Sequence, residues 1–292
     1  MIKILLSKFK KLILILISLL AFISCSEIDK INKTILERNP ERNIYFGIID
    51  TLQPFIVSGI EFKKEKFNSN RKKSYELELN QIFEVGQNVI INYKKNIDDF
   101  EVVKIQSDNL LLGPVSYVGE TELIILSQKV IISDYLLRGY SKIIPGHWIE
   151  VSGFYEQEGK ILATNIKLKP SQSFGYIKGK VSQLDKNIIS IGKQVFKFRT
   201  PITSTVSGDI VKIVFTLDDD LYKTFKIENL SNKYINLLDY NIIIDGFVFQ
   251  GDDKKYRISG FPFIIYDSDQ LFEGQRVKIK GKIIAGSIID NK

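Results

Sequence analysis

Ser207-Gly208-Asp209-Ile210-Val211-Lys212-Ile213 reads as a turn that leads at once into an alternating apolar strand, and the chain writes this element four times. The other copies are Val85-Gly86-Gln87-Asn88-Val89-Ile90-Ile91, Pro145-Gly146-His147-Trp148-Ile149-Glu150-Val151 and Glu273-Gly274-Gln275-Arg276-Val277-Lys278-Ile279, which set their glycines 60, 62 and 66 residues apart. A second marker keeps the same period: Gly47-Ile48-Ile49, Gly113-Pro114-Val115, Gly179-Lys180-Val181 and Gly246-Phe247-Val248 recur at intervals of 66, 66 and 67. Two independent markers in step define an internal repeat.

Between the markers lies a strand that turns and returns. It is visible as Phe55-Ile56-Val57-Ser58-Gly59-Ile60-Glu61-Phe62, Ile189-Ser190-Ile191-Gly192-Lys193-Gln194-Val195-Phe196 and Tyr256-Arg257-Ile258-Ser259-Gly260-Phe261-Pro262-Phe263. In the second unit Leu123 to Val130 takes this place, with Ser127-Gln128 expected at the turn. Each unit closes on an alternating strand such as Phe100-Glu101-Val102-Val103-Lys104-Ile105 or Leu162-Ala163-Thr164-Asn165-Ile166-Lys167-Leu168. A period of two puts alternate apolar residues on one face, and glycine allows the tight bends between strands. About five strands in about 60 residues suit a small closed barrel, which leaves no exposed edges. The expected fold is all-β: four tandem small OB-like β-barrel modules after an N-terminal leader, with one continuous sandwich or meander as the alternative. The units divide as 44–108, 109–172, 173–234 and 235–292.

Composition sets the outer limits. The 292 residues are 44% hydrophobic, enough for several cores, and 41 Lys+Arg against 34 Asp+Glu give +7. A single Cys, His, Trp and Met exclude a disulfide scaffold and a Cys/His zinc site.

Residues 1–25, MIKILLSKFKKLILILISLLAFISC, carry lysines at 3, 8, 10 and 11 ahead of a short apolar stretch. This is the pattern of a secretory signal, and the stretch is short for a membrane span. Phe22-Ile23-Ser24-Cys25 resembles the lipobox of bacterial lipoproteins, with Phe22 where leucine is usual. The resemblance implies cleavage after residue 24 and acylation of Cys25, whose acyl chains would hold the protein on a bilayer. An ordinary signal peptide or an uncleaved anchor is the alternative. Cleavage over 1–24 removes four lysines, so +7 minus 4 leaves +3 and weakens the electrostatic case for nucleic acid. Residues 25–43 read as a lipidated N-terminus and polar tether. Ser26 after the Cys leans, by the same resemblance, toward the outer membrane if the cell is Gram-negative.

Across 44–292 the chain resembles the bacterial family called domain of unknown function 5666. Its units have an opening Gly-x-Val strand, a strand–Gly–strand hairpin, a Val-Gly-Asp-x-Val-x-Val element and a final Ala-Thr-x-Ile strand. Ser207 to Ile213 and Leu162-Ala163-Thr164-Asn165-Ile166 match best, while Asn88 and His147 depart from the pattern. The resemblance implies small β-barrels on exported, often lipid-anchored proteins, and it supplies no catalytic residues.

Candidate chemistry is sparse. Trp148 is a candidate contact residue, since Trp anchors many interfaces, but its place at a strand start favours packing. His147 has no second His or Cys with which to share a metal. Asp218-Asp219-Asp220 and Asp252-Asp253 lack the Gly and distant Glu of a calcium loop and read as hairpin tips. Asp267 and Asp269 offer an acid–base pair only if a pocket gathers them. The first unit has a longer hairpin whose extra residues include Lys63, Lys64, Lys66, Arg71, Lys72 and Lys73, a candidate polyanion site, though Glu65 and the absence of stacking aromatics favour a solvated loop.

The sequence thus predicts a non-enzymatic, lipid-anchored cell-envelope protein that works as an interaction or spacer array, with no cofactor and no metal. Its expected partners are the membrane, through the lipid, and an envelope protein or polyanion, with nucleic acid disfavoured. The alternative is an OB-like binder of lipopolysaccharide, glycan or nucleic acid through the basic loop of the first unit.

Overall fold

In the computed structural model the described residues are 43–64, 82–95, 97, 99–133, 136, 143–218, 221–235, 237, 240–251, 253–266, 270–284 and 287–290. All of them fall in the unit Arg42–Lys292. The expected signal, Cys25 and tether up to residue 42 lie outside them, as do Lys66, Arg71, Lys72, Lys73, Asp267 and Asp269.

Each repeat closes into a five-stranded ring of the same order, and only one pair in each ring runs parallel. The first ring is β1 (Asn43–Leu52), β2 (Phe55–Val57), β3 (Ile60–Lys64), β4 (Asn88–Lys95) and β5 (Phe100–Ser107), paired 1-2-3-5-4-1 with β3 parallel to β5. The second is β6 (Leu111–Val118), β7 (Glu122–Ile125), β8 (Gln128–Ile131), β9 (Trp148–Gln157) and β10 (Lys160–Lys169). The third is β11 (Phe174–Asp185), β12 (Ile188–Ile191), β13 (Gln194–Lys197), β14 (Ile210–Asp218) and β15 (Leu221–Asn229). The short helix α1 (Leu230–Ile235), capped by the Asn229 carboxamide on the Asn232 N–H, leads to the fourth. That ring is β16 (Asn241–Gln250), β17 (Tyr256–Ile258), β18 (Ile264–Ile265), β19 (Arg276–Ile284) and β20 (Ser287–Asp290). The fold is all-β and built of small OB-like barrels, as the repeat predicts.

The two glycine markers are the joints of each ring. The first sits where the opening strand leaves one neighbour for the other: β1 pairs with β4 up to Ile48 and with β2 from Ile49. A side chain on Gly113, Gly179 or Gly246 would meet Leu126, Ile191 or Ile258 at 2.5–2.7 Å, so the strand can cross the end of the hairpin only as glycine. The second marker is the third residue of a four-residue turn, with φ of 84° at Gly86, 91° at Gly146, 96° at Gly208 and 81° at Gly274. The turn closes by the same bond each time, Gln87 N–H to Glu84, His147 to Ile144, Asp209 to Val206 and Gln275 to Phe272. A positive φ at that position is what a type II turn requires.

One turn differs from its expected place. In the second ring the hairpin turns at Leu126-Ser127, both with positive φ, rather than at Ser127-Gln128. Leu126 is buried beneath Gly113, and the buried Gln128 donates to the carbonyls of Leu126 and Ile191, so tertiary packing overrides the polar-turn rule.

The rings are sewn together in pairs. β1 runs parallel to β16, joining the first barrel to the fourth, and β6 runs antiparallel to β11, joining the second to the third. A strand shared in this way is apolar on both faces. On β1, Tyr45 enters the core of the first barrel, whereas Ile44 and Phe46 enter that of the fourth. Ile243 of β16 returns the exchange by entering the first core. The second and third barrels share one continuous core from Leu110 to Phe215.

Candidate functional site

A buried ion pair joins the barrels. Lys178, on β11, has a side chain only 3% exposed, and its ammonium lies 2.6 Å from the Asp108 carboxylate between the first and second barrels. The same nitrogen stands 5.2 Å from the centre of the Phe261 ring. Burial alone would lower its pKa, but Asp108 and the Tyr234 phenol outweigh burial and raise it. The Tyr155 hydroxyl donates to the Lys178 carbonyl, and burial pushes the Tyr155 pKa up. Beside this pair, the Tyr176 hydroxyl donates to Glu150 at 2.7 Å, and Lys169 pairs with Glu150 at 2.9 Å. The cavity at the meeting of all four barrels, lined by Phe46, Asp108, Tyr155, Lys178 and Phe261 among others, holds only about 30 Å³. It fits one water and no ligand, so this centre is an internal fastening.

A second fastening docks the first barrel on the second. The Asn88 carboxamide acts like a strand backbone, donating to the Gly153 carbonyl at 2.9 Å and accepting from the Gly153 N–H. The Thr164 hydroxyl donates to the Gly86 carbonyl at 2.6 Å, and Asn165 donates to that of Val85 at 3.0 Å. The receiving strands are irregular there, with a register shift between Ala163 and Asn165 that opens Gly153. Between the second and fourth barrels, the Phe154 and Phe247 rings meet edge to face at 5.6 Å. Arg276, held by both oxygens of Asp245, lies 4.6 Å over Phe154.

Open space large enough for a ligand lies elsewhere. A trough of about 510 Å³ runs between the third-barrel turn at Ser207-Gly208-Asp209 and the fourth-barrel residues Phe249, Arg257 and Pro262. A second pocket of about 140 Å³ shares Lys180, Ile210 and Phe249 with the trough and is walled by the second-barrel hairpin Tyr155-Glu156-Gln157-Glu158-Gly159. The combined space falls in the size range of small-molecule sites. Arg257 is bound by both oxygens of Asp253, at 2.8 and 2.7 Å, and holds that carboxyl well below the usual carboxylate range. Lys180, Glu158 and Glu273 face the smaller pocket with no hydrogen bond or ion pair among the described residues.

The residues singled out from sequence are scattered. Trp148 is 6% exposed and packs with Leu112 and Tyr176. His147 closes its turn through its backbone N–H, and its Nδ1 is buried with no hydrogen-bond partner among the described residues. Lys63 pairs with Asp99 at 2.5 Å, and Lys64 ends β3. Asp253 serves Arg257, and no group of three or more His, Cys, Asp or Glu side chains able to hold a metal occurs among the described residues. The trough and the smaller pocket were not visible in the sequence, because their walls together come from three barrels and no local motif marks them.

Residues 113–167, most of the second barrel, match the family model described as domain of unknown function (DUF5666). Neither the curated proteins nor the solved structures include a match to the chain.

Proposed function

We propose that the chain is a non-enzymatic binding scaffold of the bacterial cell envelope, tethered through a lipid on Cys25, whose four barrels are copies of the matched domain. The observation that carries the reading is the joining of closed barrels by paired strands, which fixes their surfaces relative to one another, with a ligand-sized trough between the third and fourth barrels. Barrels of this kind hold a ligand by surface contact and need no reactive group. The lipid anchor is supported by the charged, apolar leader and by the position of the only Cys at its end. The outer membrane is the expected destination where the cell has one, with Ser26 following the Cys. The partner class comprises envelope proteins and glycans.

Cell fractionation with Cys25→Ala tests the tether. The parent chain should sediment with membranes and incorporate labelled fatty acid, whereas the variant should be soluble after export and unlabelled. A variant that stays with the membrane fraction overturns the anchor.

A further inference from the structure

We propose that the trough between the third and fourth barrels, with its extension to the second, binds a neutral oligosaccharide. The proposal rests on the binding-scaffold reading and names its ligand. A sugar hydroxyl donates and accepts at once, so a site for it needs donors and acceptors facing a common space, together with an apolar surface for the ring's C–H face. The smaller pocket has these parts. Among the described residues Lys180, a donor, and Glu158 and Glu273, acceptors, make no hydrogen bond or ion pair, with one another included. Opposite charges that share a pocket without pairing leave room for something that bridges them. Phe249, half-buried, lines both the pocket and the larger trough, where Pro262 and the bidentate Arg257–Asp253 pair continue the same mixture.

Charge separates this ligand from the acidic alternatives. Glu156, Glu158, Asp209, Asp253 and Glu273 line the two cavities, against Lys180 and Arg257. That surplus of carboxylates repels a phosphate or sulfate chain, and it makes a basic peptide the rival ligand that the test has to include. The trough also borders the loop between β16 and β17, the first two strands of the fourth barrel, a position OB-type barrels commonly use for ligands.

The test uses the full chain, extracted in detergent, on an array of immobilised neutral and acidic glycans with a lysine-rich peptide alongside. The expected result is retention by neutral oligosaccharides that persists when salt rises about tenfold, since no phosphate contacts are involved. Lys180→Ala and Phe249→Ala should each weaken it at least tenfold. Glu273→Gln, at an exposed position that leaves packing untouched, should weaken it several-fold and so separates lost binding from lost folding. Absence of glycan binding, capture of acidic glycans or of the peptide only, or unchanged binding by Glu273→Gln and Lys180→Ala together would overturn the proposal. A tether that fails by fractionation leaves this result intact, and a blank array leaves the tether intact, so the two failures are distinguishable.

Discussion

Four glycines at equivalent turns supply an internally controlled experiment on how the barrels are joined. Gly86, Gly146, Gly208 and Gly274 all have φ between 81° and 96°, so replacing any of them by alanine costs about 1–2 kcal/mol for a left-handed L-residue. A new Cβ meets nothing within 4 Å at the last three. At Gly86 it falls 2.1 Å from the Thr164 carbonyl oxygen of the second barrel, a backbone atom that cannot turn aside. The turn must then back away and release the bonds made by Thr164, Asn165 and the two sides of the Asn88 carboxamide. Four hydrogen bonds at roughly 1 kcal/mol each add about 4 kcal/mol. The Glu84–Lys167 ion pair is omitted because its side chains are 40% and 39% exposed and such pairs contribute little. Gly86→Ala should therefore lose about 5–6 kcal/mol and the other three about 1–2, measured as shifts in urea midpoint for residues 26–292. A Gly86→Ala variant within about 1 kcal/mol of Gly146→Ala would refute the docking role of this turn, whatever the absolute stabilities.

Lys178→Met should destabilise by about 3–5 kcal/mol by stranding the Asp108 carboxylate, and adding Asp108→Asn should recover part of that in the same urea assay. Phe154→Ala should cost about 3–5 kcal/mol through lost area and the lost Phe247 and Arg276 contacts, with Phe154→Leu in between. Burial raises the pKa of Tyr45, Tyr155, Tyr176 and Tyr234, the last to about 12, and Lys178 is also raised. A raised folded pKa gives stability that is complete below the unfolded value, near 10, and is lost as pH climbs toward the folded one. Stability should hold from neutral pH to about 9.5 and then collapse, with these phenolates appearing by ultraviolet absorbance only as the chain unfolds; their free titration near pH 10 with the fold intact would contradict the burial.

The parts of the fold that the sequence carried openly are those a glycine must occupy. Gly113, Gly179 and Gly246 are needed where a strand crosses the end of its hairpin, and the four turn glycines where φ is positive, so their spacing counts the barrels. What joins the barrels left no such mark. Lys178 reads as a solvent-facing residue of an alternating strand, and only the arrival of Asp108, 70 residues earlier, and of the Phe261 ring allows its burial. Asn88 looked like a departure from the repeat pattern, yet its carboxamide holds Gly153. The candidate site was equally hidden: Lys180 and Phe249 are ordinary strand residues until three barrels meet around them. Trp148 was readable in part, because a strand start in a known repeat fixes which way the side chain must pack.

The pairing of β1 with β16 also bears on the order in which the chain can fold. Asn43 lies opposite Asn241 and bonds to its side chain across 198 residues. On a ribosome or at a translocation channel, the opening strand emerges long before its neighbour exists. Contacts of such sequence separation are slow to form and come late. Until β16 arrives, Ile44 and Phe46 have no core to enter. The first barrel therefore cannot reach its final state before the last has been delivered. The same wait leaves the apolar side chains of β1 uncovered until β16 pairs with it.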